Sequence, residues 1–185
     1  MRVFLALGSE QLQSSVIDQW VQQTGLDHPH LPADRHMTLM FLGEQPTDII
    51  HELTSSLSSL FSRVALPCVT WHASFVGDFP PQKPKVWAIQ GGADSDIALW
   101  AAPILKEVQS LQCCTRQEGS FIPHVTLSYI NQFTGLNLPV DWTIEFDQLV
   151  LCRSYTQEER AEKPQLGSWA KVRYEVLARW GLEKK

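Results

Sequence analysis

The sequence predicts an α+β fold built by internal duplication, and three observations carry that expectation. Segments with helical periodicity and segments with strand periodicity are interleaved along the chain. The tetrapeptide His-x-Thr-Leu occurs twice, in "RHMTLMFL" at His36 and in "PHVTLSYI" at His124, nearly half the chain apart. Each half offers a strand, a helix and a His-x-Thr strand in some arrangement, which favours duplication over a parallel βαβ order.

Taken in order, "RVFLAL" at the start is apolar throughout and reads as a buried strand. "SEQLQSSVIDQWVQQTG" reads as one helix, with Ser9 as N-cap and Gly25 as its stop. Leu12, Val16, Trp20 and Val21 recur there at helical spacing. The loop "LDHPHLPADR" leads into the first His-x-Thr strand, and Pro46 opens a second helix, "PTDIIHELTSSLSSLF". "VTWHASFVG" and "PKVWAIQ" are strands joined by the turn-rich "DFPPQK". "DSDIALWAAPILKEVQSLQ" is a third helix, which Pro103 should kink or restart. After the second His-x-Thr strand, "WTIEFDQLVL" and "AKVRYEVLARW" read as extended. In the last, Val172, Tyr174, Val176, Ala178 and Trp180 alternate with polar residues. "TQEERAEKPQLGS" reads as a polar hairpin connection and is expected to be the most mobile part.

Bulk properties narrow the function classes. A chain of 185 residues makes one domain, or two small lobes sharing one core. With 44% hydrophobic and 19% charged residues it should fold and bury a sizeable core. A net charge of −5 argues against coating long nucleic acid by bulk electrostatics, but leaves room for gripping one terminal phosphate. Val3–Leu7 is too short for a signal peptide's apolar region, and no stretch approaches a membrane span. Cys68, Cys113, Cys114 and Cys152 form no C-x-x-C pair. A cytoplasmic monomer is the expectation.

Strand geometry gives the repeated step its chemical meaning. Alternation sets His36, Thr38 and Met40 on one face, opposite Met37, Leu39 and Phe41. It sets His124, Thr126 and Ser128 on one face, opposite Val125, Leu127 and Tyr129. Each strand then plugs an apolar face into a core and offers an imidazole beside a hydroxyl. Two such strands around one small anion suit phosphoester chemistry without a metal. One neutral histidine takes a proton from the attacking group, and the other, protonated, gives one to the leaving alkoxide. The threonine hydroxyls stabilise charge on the non-bridging oxygens.

The paired motifs resemble the 2H phosphoesterase superfamily, and within it the bacterial RNA 2′,3′-cyclic phosphodiesterase branch, also called 2′-5′ RNA ligase. The flanks share the resemblance: "MRVFLAL", "LPADRHMTLMFLGE", "FVGDFPPQKPKVWAIQG", "FIPHVTLSYI" and "YEVLARWGL". It spans essentially the whole chain. It implies a bilobal, pseudo-symmetric α+β fold, with antiparallel sheets lining a central cleft and helices outside. It implies His36 and His124 as the acid–base pair and Thr38 and Thr126 as phosphate ligands. The implied reaction opens a terminal RNA 2′,3′-cyclic phosphate to a 2′-phosphate with no cofactor, and ATP-independent 2′-5′ ligation is its reverse.

Two positions depart from the pattern. Related sequences often carry a basic residue where this chain has Met40, and arginine where it has Tyr129. Arg35, Lys83, Lys85 or Arg116 could supply the missing charge. Arg35, Phe79 and Tyr129 are accordingly the candidate substrate contacts, Phe79 by stacking on a base, a role that Trp71 and Trp87 fit less well. His28-Pro29-His30 has metal-ligand spacing but no further ligands complete it, so no metal site is expected. His51 and His72 are expected to be solvated or satisfied side chains. Two other functions fit the motifs: a phosphodiesterase of small cyclic nucleotides or 2′-5′ oligonucleotides, and a non-catalytic binder of RNA ends. Retention of both histidines and both threonines favours an enzyme.

Overall fold

The computed structural model describes residues 1–26, 29–92, 95–113, 121–130, 133–135, 137–156, 158–159 and 173–184, with backbone alone at 95 and 96. His28, Cys114, Arg116, Val172 and most of the 156–168 connection lie outside these residues.

Strand β1 (Arg2–Gly8) is covered on both faces. Val3, Leu5 and Leu7 enter the main core, while Phe4 and Ala6 enter a second, small cluster on the opposite face. An apolar run without alternation is what such a two-sided position requires. The helix expected over residues 9–25 divides. Ser9 caps a short 3₁₀ turn, Glu10–Gln13, by accepting from the Gln11 N–H. Ser14 is then extended, and α1 (Ser15–Thr24) runs to Gly25, a left-handed cap at φ 62°. The Leu12 carbonyl accepts from the Arg35 guanidinium at 2.9 Å, an anchor from outside the helix at the point where the segment breaks.

Strand β2 (Met37–Glu44) carries the first motif, and α2 (Thr47–Arg63) follows Pro46. Ile50, Leu53, Leu57 and Leu60 bury one stripe of α2 at helical spacing. Strands β3 (Val69–Phe79) and β4 (Val86–Gly91) form a hairpin. Helix α3 (Ser95–Ser110) passes through Pro103 as one helix. The carbonyl that Pro103 leaves without an amide belongs to Leu99, whose side chain is 74% exposed, so water can satisfy it. Strand β5 (His124–Tyr129) carries the second motif. The extended segment after it splits at Asp147 into β6 (Asn137–Phe146) and β7 (Gln148–Ser154), and β8 (Tyr174–Gly181) closes the chain.

The eight strands of the described residues form one antiparallel sheet in the order β6-β3-β4-β5-β2-β1-β7-β8. It consists of two quartets whose inner edges are the two motif strands. Only one residue pair, Met37 opposite Val125, joins β2 to β5. Such a narrow junction lets the quartets diverge into two lobes. The chain exchanges between them: β2 is followed by β3 in the other quartet, and β6 by β7 back beside β1. The helices pack on one sheet face with Trp71, Trp87, Val125 and Leu127 in the main core. The motif histidines and threonines occupy the other face. Among the described residues no helix is long and apolar enough to cross a membrane.

Candidate functional site

Both motif strands carry a β-bulge at the same step, directly after the threonine. In β2, Thr38 pairs with Ala6 and Met40 with Leu5, so Leu39 is the extra residue. In β5, Thr126 pairs with Ala88 and Ser128 with Trp87, so Leu127 is the extra residue. A bulge puts two consecutive residues on one face and reverses the alternation beyond it. Met40 (4% exposed) and Ser128 (1%) therefore turn into the core, while Phe41 (53%) and Tyr129 (46%) turn to the cleft side. This corrects the strict alternation expected from the sequence. It also changes the meaning of the missing cation at Met40: in this fold that side chain points away from the cleft.

The histidines are held by the same device in each strand. His36 Nδ1 lies 2.7 Å from the Asp34 carbonyl oxygen, and His124 Nδ1 lies 2.9 Å from the Ile122 carbonyl oxygen. A carbonyl can only accept, so each Nδ1 is the donor and Nε2 of the neutral ring keeps its lone pair. One face of each ring rests on a phenylalanine. His36 stacks on Phe4 with centroids 4.8 Å apart, and His124 on Phe79 with centroids 4.0 Å apart. Tyr174 meets the His36 ring edge-on at 4.8 Å. The antiparallel register, with Met37 opposite Val125, carries His36 across from Thr126 and His124 across from Thr38.

Burial dominates the electrostatics of the pair. It lowers His36 from its ordinary value of 6.5 to about 4, against the Asp34 hydrogen bond, with the neighbouring His124 adding to the fall. Burial also lowers His124, against the Ile122 hydrogen bond. Both rings are therefore neutral at pH 7 in the free protein, each able to accept a proton at Nε2. An anion between them would raise both values and favour a singly protonated pair.

The remaining candidates are placed as follows. Arg35 does not reach the cleft: its guanidinium is buried against α1, 2.6 Å from the Asp18 carboxylate and bonded to the Leu12 carbonyl. That corrects the expectation of a substrate contact there. Phe79 is the platform under His124, and Tyr129 lies on the cleft side with the Arg173 guanidinium 4.5 Å over its ring. Lys83 and Lys85 are exposed in the β3–β4 connection. His51 is exposed on α2, and exposed His72 on β3 meets the Thr143 hydroxyl at 3.1 Å. Trp71 and Trp87 are core residues. Among the described residues no three His, Cys, Asp or Glu side chains gather as a metal-binding group.

Four contributors to the site escaped the sequence reading. Phe4 belongs to what looked like a purely structural strand. Asp34, 2% exposed, accepts the Arg173 backbone N–H with both carboxylate oxygens, at 3.3 and 3.2 Å, and so ties the end of the chain to the first motif. Arg173 and Tyr174 stood in the sequence only as members of the β8 alternation. A bulge at Leu177 separates Tyr174, in the small cluster beside Phe4, from Trp180 in the main core. The sequence showed Tyr174 and Trp180 in one phase, with no signal for that bulge. His30 is a fifth surprise. It is 3% exposed, its ring lies 5.2 Å from that of Tyr129, and its backbone N–H donates to the bulged Leu127 carbonyl at 2.6 Å.

No family model matches the sequence, and no curated protein matches it. Solved structures do match in shape. TT0787 of Thermus thermophilus superposes with a TM-score of 0.69 at 21% identity, over the whole of both chains. LigT of E. coli in complex with 3′-AMP gives 0.68 at 20% identity, covering 98% of this chain and 97% of its own. A protein described as a phosphoesterase gives 0.69 at 20% identity, with 98% of each chain covered. The chain shares with these three proteins the fold that bends two antiparallel quartets around paired inner strands.

Proposed function

We propose that this protein opens the 2′,3′-cyclic phosphate at an RNA 3′ end to a 2′-phosphate, using His36 and His124 as a metal-independent acid–base pair. The observation that carries the reading is the twice-built strand: bulge, threonine and an imidazole whose Nδ1 is tied to its own backbone, leaving Nε2 for the substrate. The fold shared with LigT, solved with 3′-AMP and with phosphate, supports a nucleotide phosphate as the ligand.

In the proposed step, neutral Nε2 of one histidine takes a proton from water as its oxygen forms a bond to phosphorus. The P–O3′ bond breaks, and O3′ takes a proton from Nε2 of the other, protonated histidine. The pair ends with the proton exchanged between its members and resets through solvent. Thr38 and Thr126 donate hydroxyl hydrogen bonds to the non-bridging oxygens as charge develops there. A ribose 5′-hydroxyl in place of water gives a 2′-5′ linkage by the same step, with no ATP. A pure binder would need anion donors, but not two imidazoles with free Nε2 atoms.

The test is incubation with nucleoside 2′,3′-cyclic phosphates and with a cyclic-phosphate-ended oligonucleotide, in excess EDTA, with products identified by chromatography. The expected product is the 2′-phosphate alone. No turnover, a 3′-phosphate product, or activity only after adding a divalent ion would overturn the reading.

A further inference from the structure

We infer that the pocket bounded by Tyr129 and Tyr174 is a subsite for the nucleotide preceding the terminal one, which makes the substrate a single-stranded RNA end. This rests on the function proposed above and names the substrate for the same site. The pocket encloses about 380 Å³ and is lined by Arg2, Arg173, Tyr129, Tyr174, Tyr155 and Glu158 among others. That lies within the range of small-ligand sites. Its position is the first reason: the Tyr174 ring that walls it is the one lying edge-on to His36 at 4.8 Å. The Tyr174 ring is thus shared between the pocket wall and the surroundings of His36.

Its chemistry is the second reason. Two guanidinium groups face one carboxylate, in a chain whose net charge is −5. Among the described residues the Arg2 guanidinium has only a long ion pair, 4.0 Å to exposed Glu44. The Arg173 guanidinium carbon lies 4.5 Å over the Tyr129 ring centroid, a contact to the ring face that uses none of its N–H donors, the groups that bind a phosphate. Tyr155, fixed by donating to Glu175, adds a third phenol ring. Arginine with tyrosine rings is the combination that grips a backbone phosphate and stacks a base without reading its identity. The third reason is shared support. Asp34 holds the backbone of Arg173 and, through its carbonyl, the ring of His36, so pocket and histidine keep a fixed relation.

The experiment is calorimetric titration of the full chain with adenosine 3′-monophosphate and with the dinucleotide ApA ending in a 3′-phosphate, at two salt concentrations. The dinucleotide should bind at least about tenfold tighter, with a log–log salt slope steeper by ~0.7 for one more phosphate on a single strand. Arg173→Ala and Arg2→Ala should each shrink the gap, the double variant should abolish it, and Arg173→Lys should keep part of it. Equal affinities, or a gap that survives the double variant in a folded protein, would overturn the subsite. Turnover of both cyclic phosphates with no gap would remove the subsite and leave the function. A gap with no turnover of either would do the reverse.

Discussion

Each motif histidine is fixed on two sides, by a carbonyl at Nδ1 and by a phenylalanine under the ring, so one rotation remains costly and one nitrogen remains free. Replacing either histidine with alanine should lower kcat/KM by roughly 10²–10⁴-fold, and the double variant should be little worse than either single one, because the two act as a unit. Thr38→Ala and Thr126→Ala should be milder, each removing one donor and leaving the proton path. Phe79→Leu separates two roles for that ring. As the platform of His124 it should cost about tenfold in kcat with KM nearly unchanged. A base-dependent rise in KM instead would show that Phe79 stacks on substrate. The pH profile follows from the same burial. A productive pair holds one proton, and both histidines sit below 6.5 in the free protein, His36 at about 4. The kcat/KM profile should therefore be bell-shaped with its maximum on the acid side of 6.5, its limbs belonging to the pair. A maximum above pH 8 would contradict this assignment.

The elements were legible in the sequence where periodicity alone decides them, and misread where a single residue breaks the period. Helix α2, the β3–β4 hairpin and the two motif strands follow directly from stripe and alternation. The bulges at Leu39 and Leu127 left no trace, because leucine suits a buried position on either side of a bulge. The split at Ser14 was hidden because its anchor, Arg35, lies 23 residues from the carbonyl it holds. Those bulges yield a prediction. The resemblance read from the sequence made a basic residue at position 40 an expected phosphate contact, yet Met40 is 4% exposed in the main core. Met40→Arg should therefore place an unpaired charge among apolar side chains and destabilise the fold by ~3 kcal/mol or more. Urea denaturation measures the loss, and no gain in phosphate affinity should accompany it. A stable Met40→Arg protein with tighter phosphate binding would mean that β2 runs without its bulge.

Across the whole molecule, the two quartets are joined by little sheet and by much loop. One residue pair links β2 to β5, while Pro29 and His30, which lead into the first motif, lie along the second motif at Ser128 and Leu127. His30 is thus a seam between the lobes, and it is an unusual one. Among the described residues neither ring nitrogen has a hydrogen-bond partner, and the ring is 3% exposed. Burial first, then the charge of Arg173 and nearby His36 and Arg35, lowers it from 6.5 to about 3. The sign of the linkage is fixed by that direction. Between pH 6.5 and about 3 the unfolded chain binds a proton at His30 that the folded chain refuses, so stability falls on acidification. The contribution is intact above 6.5 and is lost at up to ~1.4 kcal/mol per pH unit as pH drops through that window. His36 adds a similar loss down to about 4. His30→Leu removes one of these protons and two buried unpartnered nitrogens. It should leave stability at pH 7 within about 1 kcal/mol of the parent, or above it, since an apolar group of similar size needs no partner. From pH 6 to pH 4 its urea midpoint should fall less steeply than the parent's. Parallel pH dependences would show that His30 is protonated in the folded state, and that the seam between the lobes is wet.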